Sequence, residues 1–294
     1  MPNIVVICIN FHNEEQTIAF VRRLVTLHSP STCQVIVASN NVRGNGNEVL
    51  AEALADKLQV TIMHWSRNLG YFGAAALALD VYRSTHELPD WVVVSNTDLL
   101  VGTESFTDQL NQYQESKGIG IVAPSITATV TDVDQNPFME RRPTAIRMHI
   151  VKWMLKTWLT WTLWSAASRV KLAIRQRRRN RLGTACGNGQ DSNARSIYAP
   201  HGSFIAFSRE YFLRGGTLDH VPFLYGEEIM VAETARDLSL TVLYDPKIRL
   251  KHMEHSTTGK STKIRKYQAA SASYCADTYF PLRIRFSKEV AHGR

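Results

Sequence analysis

The chain is poor in cysteine and has none of the cysteine patterns typical of metal-bound or disulfide-linked scaffolds. Its 294 residues include four cysteines, which lie far apart and form no Cys-x-x-Cys pair. This spacing argues against a structural zinc site and a disulfide framework, and it fits a reducing cytosol. The chain opens directly on an apolar strand pattern, without a basic segment or a long apolar run, so no secretory signal is predicted.

Other absences narrow the class of protein further. No internal repeat is visible, and the segment after the first strand, Asn10–Gln16, lacks the glycine-rich loop with a basic residue expected of a nucleotidyltransferase. Acidic residues are outnumbered, with 26 Asp and Glu against 34 Lys and Arg and a net charge of +8. Such a balance indicates an anionic partner: a nucleotide, a nucleic acid or an acidic membrane surface.

Strand and helix patterns alternate through the first half of the chain. This β-α-β-α order predicts an α/β fold with a mostly parallel, Rossmann-like sheet flanked by helices. The predicted strands are Ile4–Ile9, Val35–Ala38, Val60–His64, Trp91–Val94 and Gly120–Pro124. The predicted helices are Glu14–Leu27, Glu48–Leu58, Gly73–Ser84 and Ser105–Ser116.

A globular pattern returns near Ile197, after a block of different composition. Strands are predicted at Gly202–Ser208, Thr241–Tyr244 and Ile248–His252, and helical segments at Arg209–Leu213, Ile229–Leu238 and Tyr267–Phe280.

The intervening block, residues 141–196, combines tryptophans with an arginine cluster. At about 100° per residue, Lys152, Lys156 and Thr160 share one narrow helical stripe, while apolar residues occupy the rest. An apolar stretch of about 17 residues interrupted by two lysines is short for a membrane span. It suits an amphipathic helix lying on anionic lipid; a core helix or an oligomer contact is the alternative.

Polar residues follow the apolar strands at positions that could carry chemistry. Asp98 comes directly after a buried run, where ligands of open α/β sheets bind, and a carboxylate there can hold a divalent cation. A helix-capping aspartate is the structural alternative. His252 and His255 follow a later strand and could complete such a site, or could be ordinary residues at a strand end.

Two further motifs are candidates. The adjacent carboxylates Glu227 and Glu228 could provide a general base, or could simply open a helix. The glycines of Asn68–Gly73 precede a helix, as in anion-binding loops, although close helix–sheet packing would also require them.

Taken in order, these motifs resemble the family 2 glycosyltransferases of the GT-A fold, especially their bacterial rhamnosyltransferase-like branch. The similarity covers about residues 1–125 and 197–260. It includes, in chain order, Asn13-Glu14-Glu15, Val35–Asn40, Asn68–Gly73, Ser95–Asp98, Gly202-Ser203-Phe204, Phe223–Glu228, Tyr244-Asp245-Pro246 and His252.

The resemblance implies inverting transfer of a sugar from a nucleotide-diphosphate sugar. Asp98 looks like the last residue of the family's DXD-type motif, binding Mg²⁺ or Mn²⁺, and His252 like the distal metal or diphosphate ligand. Glu228, rather than Glu227, falls at the catalytic carboxylate. The expected nucleotide-sugar contacts are Phe11, His12, Asn13, Glu15, Ser39, Asn40, Arg67, Asn68, Gly70 and Asn96.

The resemblance also implies a division of the chain and a set of partners. The chain is expected to consist of a nucleotide-sugar-binding half at 1–140, the basic amphipathic insertion at 141–196, an acceptor and catalytic half at 197–259 and a basic tail at 260–294. The expected donor is a UDP- or dTDP-sugar, with dTDP-rhamnose as one candidate. The expected acceptor is a lipid-linked or polysaccharide hydroxyl in bacterial surface glycan (O-antigen) synthesis. Residues 147–181 would hold the protein peripherally on the cytoplasmic face of the plasma membrane, with a homo-oligomer contact as the alternative.

Two other functions remain open. One is a catalytically inactive assembly subunit with the same fold. It would explain three departures from the family pattern: Ser39 where Asp is usual, Ala76 where Asn is frequent and Met230 where an acidic residue is frequent. A basic nucleic-acid-binding protein would explain the net charge, but the basic residues concentrate in one amphipathic block rather than along a stacking surface, so no nucleic-acid partner is expected.

Overall fold

The computed structural model describes residues 3–102, 106–114, 116–157, 160, 162, 193–253 and 262–282. The strands are β1 (Ile4–Asn10), β2 (Cys33–Ser39), β3 (Val60–His64), β4 (Trp91–Ser95), β5 (Leu99–Val101), β6 (Ile119–Ala128), β7 (Arg195–Ile197), β8 (Phe204–Ser208) and β9 (Thr241–His252). The helices are α1 (Glu14–Leu27), α2 (Gly46–Leu54), α3 (Tyr71–Arg83), α4 (Phe106–Asn111), α5 (Ala145–Lys156), α6 (Arg209–Leu213), α7 (Glu227–Asp237) and α8 (Thr262–Tyr279).

One sheet joins all nine strands of the described residues, in the order β3-β2-β1-β4-β8-β6-β9-β5, with β7 beside β9. The four strands of the first half pair in parallel, as the sequence predicts. The second half is mixed: β6 pairs in parallel with β9, while β8 runs antiparallel to β4 and β6, and β5 and β7 run antiparallel to β9. The mostly parallel pattern therefore stops at β4.

Several predicted boundaries needed correction. The predicted strands Thr241–Tyr244 and Ile248–His252 are one long strand, β9, whose register against β6 shifts between Pro124 and Ser125. The predicted strand Gly120–Pro124 continues to Ala128, and the helix predicted to reach Leu58 ends at Leu54. Such shifts arise because tertiary pairing, which local patterns do not report, decides where an element ends.

Helices cover both faces of the sheet. Successive residues of β1 alternate between the faces, as a pleated strand requires. Ile4 and Val6 pack in a cluster with residues of α1 and α2, and Val5 and Ile7 pack with residues of α3 and α7. Because both faces are buried, these strands read in the sequence as continuous apolar runs.

Helices α5 and α8 add a smaller layer beside α7. Met148 of α5 packs with Ile229 of α7 and with three residues of the α8 segment, Cys275, Ala276 and Phe280. A salt bridge of 2.7 Å joins Lys152 to Asp277. The start of the 141–196 block is therefore packed onto the domain. In the part of the chain that the structure describes, no helix is both long and apolar enough to cross a bilayer.

Candidate active site

The carboxyl ends of β1, β2 and β4 form one edge of the sheet, and the predicted nucleotide-binding residues gather there. Asn10 lies opposite Ser39 in the β1–β2 ladder, and its amide nitrogen donates a hydrogen bond of 3.3 Å to the Ser39 hydroxyl. Asn40 donates to the Gly70 carbonyl (2.8 Å) and accepts from the Leu69 amide (3.0 Å). Ser39 and Asn40 are buried, so their side chains stabilise the loops that form this edge.

The other predicted nucleotide-binding residues differ in exposure. Asn68 accepts a hydrogen bond of 2.9 Å from the Gly70 amide and so shapes the entry to α3. Gly70 has φ +78° and lies against the Phe223 carbonyl, where a β-carbon would not fit. Phe11, His12, Glu15 and Arg67 are exposed, and Asn13 and Asn96 are half-buried.

Asp98 and His252 meet because β5 pairs with the end of β9. The Asp98 backbone carbonyl accepts from the Met253 amide (2.9 Å), while Oδ2 of Asp98 lies 3.1 Å from Nε2 of His252. Oδ1 of Asp98 is buried without a hydrogen-bond partner. His255, the other histidine candidate, lies outside the described residues.

A hydrogen bond to Gln135 orients the ring of His252. Its Nδ1 lies 2.7 Å from Oε1 of Gln135, an amide oxygen that can only accept, so Nδ1 is the donor of this bond. Nε2 therefore faces Oδ2 of the Asp98 carboxylate, and a cation would be held between these two atoms. These two side chains fit Mg²⁺ or Mn²⁺ as a pair. Among the described residues, no three His, Cys, Asp or Glu side chains converge on one metal position, so the remaining ligands would come from substrate or water.

Glu227 and Glu228 begin α7 after an unusual turn. Tyr225 and Gly226 both have positive φ, +71° and +86°. Oε1 of Glu227 accepts a hydrogen bond of 3.0 Å from the Tyr225 amide. Glu228 points towards Gly202, where an added β-carbon would lie 2.9 Å from Oε1 of Glu228. The two carboxylates thus diverge, as adjacent helical residues must.

The surroundings of these carboxylates disfavour their charged forms. Burial, followed by the charge of Glu228, raises the pKa of Glu227 to about 8. Burial also raises the pKa of Glu228, although backbone hydrogen bonds from Gly202 and Gly226 partly oppose this. A carboxylate with a raised pKa is well suited to accept a proton near neutral pH.

Helix α8 stabilises this turn from behind. The Ser271 hydroxyl donates to the Tyr225 carbonyl at 2.6 Å, and Nε2 of His220 lies 2.8 Å from the same oxygen. A β-carbon on Gly226 would overlap with the side chains of Ser271 and Cys275. Both the positive φ and the lack of space therefore require glycine at residue 226.

Tyr71 connects the two halves of the site. Its hydroxyl donates to the Gly202 carbonyl at 2.9 Å. Burial, and then the charges of Glu227, Asp98 and Glu228 in that order, raise its pKa well above the usual value. Carboxylates that follow β4 and open α7 therefore act on the same side chain.

His201 is a site residue that the sequence analysis missed. Its ring centroid lies 6.0 Å from that of His252 and 6.4 Å from that of Phe138. Burial, followed by the charge of His252, lowers its pKa to about 4. The available signal was its position directly before the Gly202-Ser203-Phe204 motif.

A family model described as glycosyltransferase-like family 2 matches residues 2–270. The chain belongs to this family. No curated protein sequence is significantly similar to it.

Solved structures with this fold include two that hold a nucleotide or nucleotide-sugar together with Mn²⁺. One is GalNAc-T7 with UDP, GalNAc and Mn²⁺, with TM-score 0.55 and 14% identity over 86% of this chain and 44% of that chain. The other is the mannosyltransferase PcManGT from Pyrobaculum calidifontis with GDP-Man and Mn²⁺, with TM-score 0.51 and 12% identity over 93% of this chain and 70% of that chain. The chain thus spans less than half the length of GalNAc-T7, and the likeness confirms the GT-A fold.

Replacement of Gly226 by alanine should destabilise the protein more than the same change at Gly215. Gly215 also has positive φ, +96°, but a β-carbon there meets no atom within 4 Å. We expect Gly215→Ala to cost about 1 kcal/mol of unfolding free energy for backbone strain alone. Gly226→Ala should cost at least about 2 kcal/mol more, because α8 must also move. Urea unfolding measures both, and equal losses would contradict the close fit of α8 against the turn.

Proposed function

We propose that the protein is an inverting glycosyltransferase that moves a sugar from a nucleotide-diphosphate sugar to a hydroxyl of a lipid-linked or polysaccharide acceptor. The observation that carries the proposal is that Gly202 contacts Glu228, while the ring of the preceding residue, His201, contacts that of His252, the partner of Asp98. A candidate cation ligand and a candidate base thus lie in one site, as single displacement at an anomeric carbon requires. Family membership and the ligands of the two solved structures, UDP with GalNAc in one and GDP-Man in the other, support the proposal.

In this mechanism, Glu228 accepts the proton of the acceptor hydroxyl as its oxygen forms a bond to the anomeric carbon. The bond between that carbon and the diphosphate oxygen breaks on the opposite face, so the nucleoside diphosphate leaves with the electron pair. A cation held by Asp98 and His252 would offset the negative charge of the leaving group. The hydrogen bond from Tyr71 to the Gly202 carbonyl holds this segment between Glu228 and the Asp98–His252 pair.

Donor binding should depend on a divalent cation and on Asp98. We expect a UDP-, dTDP- or GDP-sugar to raise the unfolding temperature more with Mn²⁺ or Mg²⁺ than with EDTA. At a ligand concentration 100 times Kd, the stabilisation is about 2.7 kcal/mol. Asp98→Asn should remove the cation-dependent part, whereas Asp90→Asn, at the opposite end of β4, should not. Equal shifts with and without cation would contradict the metal assignment.

Replacement of Glu228 by glutamine should lower turnover about 100-fold or more while donor binding stays intact, because the amide cannot accept the proton. Glu227→Gln is the matched control: its amide oxygen can still accept from the Tyr225 amide, so we expect a smaller loss.

Since a base must be deprotonated and burial raises the pKa values of Glu227 and Glu228, the turnover of the wild type should rise with pH on the acid side of its pH profile. Near-normal turnover of Glu228→Gln would contradict the base assignment. Donor binding without transfer by the wild type would favour the inactive-subunit alternative.

We also propose that α5 lies on anionic membrane, as part of the 147–181 contact, near a lipid-linked acceptor on the cytoplasmic face. On the inward side of α5, Lys152 forms a salt bridge, and the side chains of Met148 and Leu155 are buried. Three apolar side chains of α5 are exposed instead: Ile146 (67%), Ile150 (50%) and Trp153 (64%). These three residues recur at helical spacing on one outward face, as in an interfacial helix. The arginine cluster at 175–181 lies outside the described residues.

Charged residues on this outward face should weaken membrane binding. We expect Ile150→Glu with Trp153→Glu to reduce co-sedimentation with anionic vesicles at least about tenfold, through lost apolar burial. Leu58→Glu, at a residue 96% exposed elsewhere on the surface, is the control and should bind like the wild type. Unchanged binding of the double variant, or a change only in oligomeric state by ultracentrifugation, would favour the subunit-contact alternative.

A further inference from the structure

His201 lies between the two halves of the candidate active site, but none of the roles assigned so far uses it. Gly202, the next residue, contacts Glu228, and the His201 ring contacts that of His252. The backbone of the segment is fixed on both sides of the ring. The His201 amide donates to Oδ1 of Asn136 at 2.7 Å, and the Asn96 amide donates to the Ser203 carbonyl at 2.8 Å.

Hydrogen bonds from Ser203 determine the tautomer of His201. The Ser203 backbone amide donates to Nδ1 of the ring at 3.3 Å, and the Ser203 hydroxyl lies 2.9 Å from the same nitrogen. A backbone N–H can only donate, so Nδ1 is the unprotonated nitrogen and the ring proton is on Nε2. The two nitrogens of an imidazole point in divergent directions, so the Nε2–H bond is directed away from Ser203.

We propose that His201 is a further catalytic residue, which donates its Nε2–H to the diphosphate of the sugar donor. The inference rests on the proposed function. As the bond to the anomeric carbon breaks, negative charge grows on the diphosphate oxygens, and a fixed donor stabilises that charge most in the transition state. The hydrogen bond strengthens but no proton is transferred, so the nucleoside diphosphate leaves as in the scheme above.

Other roles for His201 fit the contacts less well. As a base it would need a free lone pair, but that of Nδ1 is occupied by Ser203. As a third metal ligand it would have to converge with Asp98 and His252, and no such group of three occurs among the described residues. A neutral N–H donor beside the Asp98–His252 pair can bind the same diphosphate without repelling a cation.

Two substitutions separate the Nε2–H from the rest of the side chain. In His201→Asn the amide oxygen can still accept from Ser203, but no atom reaches the position of Nε2. In His201→Gln the amide nitrogen reaches that position and restores a donor. His86→Asn, at an exposed residue beyond the end of α3, is the control.

Turnover and nucleotide binding test the proposal together. We expect His201→Asn to lower kcat about 100-fold, with a smaller change in donor KM. The kcat of His201→Gln should be at least about tenfold higher than that of His201→Asn. Calorimetry with UDP, dTDP and GDP in the presence of Mn²⁺ should show weaker binding to His201→Asn than to His201→Gln or His86→Asn. Unfolding temperatures of all variants show that each one is folded.

The outcomes distinguish this inference from the proposed function. An active wild type with an equally active His201→Asn would overturn the inference and leave the function standing. Equal losses in His201→Asn and His201→Gln would assign the residue to packing and also overturn it. A wild type that transfers no sugar would overturn the proposed function and, with it, the catalytic role of His201, even if diphosphate binding needed His201. A wild type that binds none of UDP, dTDP and GDP would overturn both.

Discussion

The antiparallel pairing of β8 with β4 brings the two halves of the chain together, and the candidate site depends on it. Ser95 lies opposite Phe204 in this ladder. The pairing continues beyond the strands, because the Asn96 amide donates to the Ser203 carbonyl. The turn that carries Asp98 is thereby joined to the segment that carries His201 and Gly202. Without this strand between the parallel half and the mixed half, the proposed cation ligands and the proposed base would have no fixed separation.

The site concentrates buried negative charge that the fold alone does not require. Burial disfavours the charged forms of Glu227 and Glu228, and the charge of Glu228 adds to the penalty at Glu227. Backbone amides of Gly202 and Gly226 offset part of this cost at Glu228. At Asp98, one oxygen is buried without a partner. Such free-energy costs are typical of sites that bind charged substrates or cations, because binding of the ligand offsets the cost of the buried charge.

The sequence predicted the elements whose signals are local. Helix Glu14–Leu27 and strand Val60–His64 have the predicted bounds, because amphipathic spacing and turn residues mark both ends. The family resemblance indicated Glu228 and His252 as site residues; both lie beside the His201–Gly202 segment, and their roles stay predictions. The sequence could not show that β9 is a single strand, or that its end pairs with β5 and brings His252 to Asp98. Such contacts join residues more than a hundred positions apart.

His201 and Ser271 were missed for a different reason. Neither belongs to a motif, and each acts through neighbours: His201 through the Ser203 amide, and Ser271 through the Tyr225 carbonyl. A histidine or serine in isolation has many ordinary roles, so only the three-dimensional hydrogen-bond partners distinguish these two.

The same contacts connect the proposed membrane face to the proposed base. Helix α5 is joined to α8 by the Lys152–Asp277 salt bridge and by a hydrogen bond from His149 to the Phe280 carbonyl. Helix α8 in turn holds the turn before Glu227 through Ser271. Because each of these contacts is made between packed helices, lipid bound to α5 would set the orientation of the site towards the bilayer rather than change its internal geometry.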